Sequence, residues 1–153
     1  MKNISCSVAL IALSLWLSIT ALADGEKKIQ MKNLPPAVQA TVKEQSKGAT
    51  IRGFAKEKEN GKTVYELELK VDGHNKDMII DASGKVFLIE EQVELNNLPA
   101  AVQAAIVKQV GKGRIVIIES LTENGTLTGY EAAIKTGSKS REIKISPDGK
   151  LIK

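Results

Sequence analysis

The chain has 153 residues, with 22 Lys and Arg against 18 Asp and Glu, a single His and a single Cys. Acidic and basic residues are interleaved, as at Lys56-Glu57-Lys58-Glu59. Nucleic-acid binders concentrate Lys and Arg on one face, so that class of partner is excluded.

The chain opens on Met1-Lys2-Asn3, followed by an apolar run from Val8 to Thr20 and then Ala21-Leu22-Ala23 before the polar Asp24. This is the charged start, apolar middle and small-residue cleavage site of a secretory leader. The run is short of the roughly 20 residues that span a bilayer. Cleavage between Ala23 and Asp24 is therefore expected, leaving no stable membrane anchor and a periplasmic or secreted protein. Cys6 and Trp16 would leave with the leader. The remainder could form no internal disulfide, and packing alone must hold it.

The segment Asn33-Leu34-Pro35-Pro36-Ala37-Val38-Gln39-Ala40 returns 64 residues later as Asn97-Leu98-Pro99-Ala100-Ala101-Val102-Gln103-Ala104, with seven of eight positions identical. Asn60-Gly61 returns as Asn124-Gly125, Tyr65-Glu66 as Tyr130-Glu131, and Gly84-Lys85 as Gly149-Lys150. Ordered landmarks at a lag of 64 residues, then 65, are the mark of an internal repeat. The expected division is a leader over 1–23, one unit over 24–93 and a second over 94–153. One residue is added between Gly125 and Tyr130. Gly129 is the natural site for a β-bulge to absorb it. The first hairpin needs no such irregularity.

Each unit begins with a helix. Proline is tolerated in a first helical turn, where its missing N–H would be unpaired anyway. Leu34, Val38, Thr41, Val42 and Gln45 recur at helical spacing, as do Leu98, Val102, Ala105, Ile106 and Gln109. Gly48, and Gly111 with Gly113, are the expected stops.

The period then falls to two. Strands are predicted over Ile51 to Glu59, Thr63 to Val71, Asn75 to Asp81 and Lys85 to Glu90. The second unit should form them over Arg114 to Glu123, Thr128 to Thr136, Ser140 to Ile145 and Lys150 to Lys153. Asn60-Gly61 and Asp72-Gly73 suit two-residue hairpin turns, whose central positions favour positive φ. Short turns force antiparallel pairing. The fold class is α+β: each unit is a helix followed by a four-stranded antiparallel meander. The two meanders should join in one sheet of about eight strands with both helices on one face.

Leu-Pro-x-x-Val at the helix start (Leu34-Pro35 and Val38; Leu98-Pro99 and Val102) is the first of three repeated motifs. Tyr-Glu in the second strand (Tyr65-Glu66-Leu67; Tyr130-Glu131-Ala132) and a closing turn (Asp81-Ala82-Ser83-Gly84-Lys85-Val86; Asp148-Gly149-Lys150-Leu151) are the others. Together they resemble the PepSY-like group, which includes proteins similar to the β-lactamase inhibitory protein. The resemblance implies an exported tandem α+β module that binds or inhibits another envelope protein or peptide, such as a peptidase, with no catalytic residues. The chain departs from that inhibitor in having no cysteine after the leader and only four aromatics there, Phe54, Tyr65, Phe87 and Tyr130. Aromatic anchors dominate interface hot spots, so a β-lactamase is not the expected target. Ser146 also stands where the first unit has Asp81.

Catalytic signals are absent. His74 lies in the turn Asp72-Gly73-His74-Asn75 and has no Cys or second His to work with. Asp72, Asp77 and Asp81 lack the spacing of a calcium loop. Gly111-Lys112-Gly113-Arg114 follows a helix and precedes a strand, the wrong order for a phosphate loop. No enzyme, cofactor or metal is expected. Tyr65 and Tyr130 should face the core, while Glu66, Glu68 and Lys70, with Glu131, Ala133 and Lys135, lie on a wet sheet face. Glu66, Glu68, Lys70, Glu131 and Lys135 are the candidate binding residues. A small-ligand or metal carrier using the groove between the units is the competing reading.

Overall fold

A computed structural model describes residues 27–59 and 61–152. The expected leader and its cleavage site, and Asn60 of the first hairpin turn, lie outside the described residues. One antiparallel sheet runs through the chain, its strands side by side in sequence order. The strands are β1 (Lys27–Lys28), β2 (Thr50–Glu59), β3 (Lys62–Val71), β4 (His74–Asp81) and β5 (Val86–Gln92). Then follow β6 (Arg114–Glu123), β7 (Thr126–Thr136), β8 (Lys139–Ile145) and β9 (Leu151–Ile152). The helices are α1 (Pro36–Gln45) and α2 (Ala100–Val110). Nine strands form where about eight were expected. The extra one is β1, which pairs Lys27 with Lys56 and Lys28 with Ala55 at the sheet edge. Neither helix is long and apolar enough to cross a membrane.

The helices start as their prolines dictate. Pro35 and Pro99 occupy the caps, where a missing N–H costs nothing. The Gln shared by both segments ties each helix to the residue before its proline. Gln39 donates Nε2–H to the Leu34 carbonyl, and Gln103 to the Leu98 carbonyl, each at 2.8 Å. Val38 and Val42 of one helix with Leu34 just before it, and Val102 and Ile106 of the other with Leu98 just before it, are buried. They pack on Tyr65, Leu67, Leu69, Met78 and Ile80, and on Tyr130, Ala132, Ile134, Ile143 and Ile145, respectively. The register carries one face across the sheet centre through Leu67, Met78, Ile89 and Thr122, and Thr122 shares its side with Ser120, the partner of Tyr130. Both helices therefore lie on one face.

The turns follow their sequence. Asp72 and Gly73 have φ of 48° and 86°, Asn124 and Gly125 of 48° and 81°, as two-residue hairpins of this hand need. His74, expected in the turn, is instead the exposed first residue of β4, paired with Val71. Asp81 accepts the Lys85 N–H at 3.1 Å, and Ser146 Oγ accepts the Lys150 N–H at the same distance. Serine thus replaces the aspartate without loss of the turn.

Gly84 closes its turn against α1. Its φ is +89°, and a Cβ there would stand 2.8 Å from the Ala37 carbonyl oxygen. Gly61 has a similar φ of +77° with nothing within 4 Å of the same point. Gly61→Ala should cost about 1 kcal/mol, the strain of a side chain in the left-handed region. Gly84→Ala adds a backbone collision and should cost roughly 3 kcal/mol. Urea unfolding of the two variants checks this; equal costs would mean that the helix does not press on the turn.

The added residue falls where expected. Leu121 pairs with Gly129 and Thr122 with Leu127, so Thr128 is the unpaired one. Gly129 beside it has no room for a side chain, since a Cβ would lie 2.8 Å from the Ile145 carbonyl oxygen. The expectation of a regular first hairpin fails. The register shifts between Ile51 and Gly53, leaving Arg52 bulged, and again between Ile115 and Ile117, leaving Val116 bulged. A bulge re-aims the side chain it releases, and both of these turn to the same place.

Candidate functional site

The sheet face opposite the helices carries the alternate residues of every central strand. Glu68 pairs with Asp77, Asp77 with Glu90, and Glu90 with Leu121. Beside this row, Glu66 pairs with Ile79 and Ile79 with Leu88. Gln92 pairs with Glu119, Glu119 with Glu131, and Glu131 with Lys144. Glu66, Glu68, Lys70, Glu131 and Lys135 all stand on this face.

The face is not the wet surface expected of it. Among the described residues no helix covers it, yet Glu66 is 0% exposed, Glu90 3%, Asp77 4% and Glu131 6%. Val64, Ile79, Leu88 and Leu121 form a buried cluster there, with Phe87 packed against it. The cause is curvature. Arg52 on β2 and Glu119 on β6 line one cleft of about 450 Å³. Four strand spacings would part them by about 19 Å in a flat sheet. The sheet curls towards its uncovered face, and its middle closes over its own side chains.

Lys70, Asn75 and Asp77 line the same cleft from β3 and β4, Gln92 from β5, and Val116 and Ile117 from β6. Arg52 and Val116, both bulged, reach it. Arg52 is bonded to Glu68 at 3.4 Å. Asn75 donates its backbone N–H to Gln92 Oε1 at 3.1 Å, which fixes that amide. Asp77 Oδ1 is buried without a hydrogen-bond partner among the described residues. Lys70 is exposed at the rim. Deeper in the face, Lys144 holds Glu131 at 3.0 Å, with both side chains largely buried.

Crowded carboxylates in a dry place resist ionisation. Burial pushes Glu90 up to about 8, helped by Glu119 and Glu131 and opposed by Lys144. Burial, with Asp77 and Glu131 nearby, pushes Glu119 up to about 7. Burial also pushes Asp77 up to about 6, against the pull of Arg52. Asp81 is lowered instead, chiefly by the Ser83 hydroxyl.

Of the candidate residues, Lys70 lines the cleft and Glu68 holds Arg52 beside it. Glu66 is sealed in the face, and Glu131 is tied to Lys144. Lys135 pairs with Arg114 and Ser140 away from the cleft. Sequence reasoning missed Arg52, Asn75, Asp77, Gln92 and Glu119. The alternation that placed Glu66 and Glu68 would have placed Asp77 and Asn75 across the Asp72-Gly73 turn. Nothing in the sequence marks the bulge at Arg52. Asp72, Asp77 and Asp81, which lack calcium-loop spacing, are also separated, with Asp77 inside the face and Asp81 occupied with its own turn. Among the described residues, no three His, Cys, Asp or Glu side chains are grouped to hold a metal ion.

No protein-family model matches the chain, and no curated protein does. Several solved structures share its fold. A BLIP-like protein from Bacteroides fragilis is 23% identical, with a TM-score of 0.57 over 78% of this chain and 84% of that one. A protein described as periplasmic from Bacteroides eggerthii is 15% identical, with a TM-score of 0.64 over 78% and 86%. A DUF2874 family protein from Bacteroides ovatus is 18% identical, with a TM-score of 0.62 over 79% and 86%.

Proposed function

We propose that this chain is an exported, non-enzymatic module of PepSY-like type, a duplicated unit that docks an envelope protein or peptide against the uncovered face of its sheet. The observation that carries this reading is the curled face itself. It holds most of the buried charge of the described residues, and no helix among them covers it. Such a scaffold presents a preorganised surface, which lowers the ordering cost of binding. A sheet of nine strands is roughly 40 Å wide, room enough for an interface of ordinary size. The export signal and the BLIP-like and periplasmic descriptions of its structural neighbours support the location and the binding role. The single histidine, His74, is exposed and alternates away from Asn75 and Asp77 along β4, which supports a role without catalysis.

Photo-crosslinking in the intact cell envelope tests the reading. A crosslinker replacing Val116 or Lys135, on the uncovered face, should trap one discrete partner. The same group replacing Val107, which is 58% exposed on the outer side of α2, should not. Adducts of equal yield from α2, or none from the sheet face, would sink the proposal.

A further inference from the structure

The cleft lined from β2 to β6 is charged with both signs. Arg52 and Lys70 supply the positive part, Asp77 and Glu119 the negative part, and Val116 with Ile117 an apolar wall. We propose that this cleft binds a small zwitterion of the α-amino-acid class. The carboxylate lies towards Lys70 and Arg52, the ammonium towards Asp77 and Glu119, and the side chain against Val116 and Ile117.

The first ground is Asp77. It is 4% exposed, lines the cleft, and its Oδ1 accepts no hydrogen bond among the described residues. A buried carboxylate oxygen left that way is costly unless a donor arrives. The guanidinium of Arg52, bonded to Glu68 at 3.4 Å, and the Leu69 N–H both favour the Asp77 carboxylate, yet Oδ1 stays without a hydrogen bond among the described residues. An ammonium carries three donors and suits a site with a second carboxylate at Glu119.

The second ground is charge balance. A simple amine would also meet Arg52 and Lys70 in the same cleft, and a simple carboxylate would meet Asp77 and Glu119. A zwitterion satisfies both ends and adds no net charge to a partly dry site, where an uncompensated charge is expensive. The third ground is size. A volume of about 450 Å³ exceeds what an ion needs and lies within the range of small-ligand pockets. The bulge at Val116 brings an aliphatic side chain to the wall, and it remains 43% exposed, open to cover by a ligand.

NMR titration of the exported chain with L-leucine tests this, with leucine methyl ester as the cation-only probe and N-acetyl-leucine as the anion-only probe. Leucine should shift the amides of residues 75–77 and 116–119 saturably, with a Kd of about 1 mM or tighter. Each blocked analogue should bind about tenfold more weakly, as should leucine to the variants Asp77→Asn and Lys70→Gln. Lys70 is exposed, so its variant keeps the fold even if Asp77→Asn does not. No saturable shift at about 50 mM leucine, an ester that binds as well as leucine, or wild-type affinity in Lys70→Gln would each overturn the assignment.

Discussion

The melting temperature is expected to fall by roughly 10 °C as the pH is raised from about 5.5 to about 8.5. The cause is the carboxylate-lined sheet face. Glu90, Glu119 and Asp77 have folded-state values raised to about 8, about 7 and about 6, from 4.5 for glutamate and 3.8 for aspartate. A carboxyl raised in this way favours the folded state while protonated. Its contribution is fully present below the unfolded value and is lost as pH rises through the folded one. The window is therefore about pH 4 to 8; because the three carboxyls raise one another, the loss is well below the sum of the three taken singly, about 3 kcal/mol between about pH 5.5 and about pH 8.5. Glu90→Gln removes the buried acid while keeping its shape. It should raise stability by about 2 kcal/mol at about pH 8.5, change little at about pH 5.5, and flatten the profile between them. Glu131→Gln should act in the opposite sense, because it takes away the carboxylate held 3.0 Å from Lys144. Differential scanning calorimetry across the range decides it. A melting temperature that is flat or rises with pH would show that water reaches this face freely.

Much of the fold is legible in the sequence because its determinants are local. Prolines at helix starts, apolar residues at helical spacing, and Asp-Gly and Asn-Gly turns each act within a few residues. The change of repeat lag from 64 to 65 between Gly125 and Tyr130 places the added residue to within one position of Gly129, at the unpaired Thr128. The strand β1 is invisible in the sequence because two lysines form a strand only where an edge is offered to them. The bulges are invisible for a similar reason. Gly53 follows Arg52, but Ile117 follows Val116, so the two sites share no sequence mark. The candidate site is half legible. Alternation assigns Glu66 and Glu131 to a face, and that assignment is right. It says nothing of how wet the face is, because curvature arises from the packing of the whole sheet. The same alternation puts Val64 on the side expected to be wet, yet it is 4% exposed.

That curvature makes Ile79 the residue most revealing to remove. It lies on the uncovered face, between Glu66 and Leu88 in the register, and is 1% exposed. On a flat, one-layered sheet the truncation Ile79→Ala would cost under about 1 kcal/mol, since the side chain would already meet water. In the curled sheet it should cost about 2–5 kcal/mol, as much as truncating a residue beneath a helix. Val64, Leu88 and Leu121, its companions, come from three further strands, so a hole at Ile79 loosens the closure at its centre. Water admitted there reaches Glu66 on the paired strand and Glu90 along the face. Better hydration lowers a raised carboxyl towards its ordinary value. The variant should therefore lose stability and lose part of its pH dependence together, read from urea unfolding at about pH 5.5 and about pH 8.5. A variant that is destabilised with its pH dependence intact would separate the two. The buried carboxyls would then owe their state to their neighbours in the sheet and not to the apolar cluster that closes it.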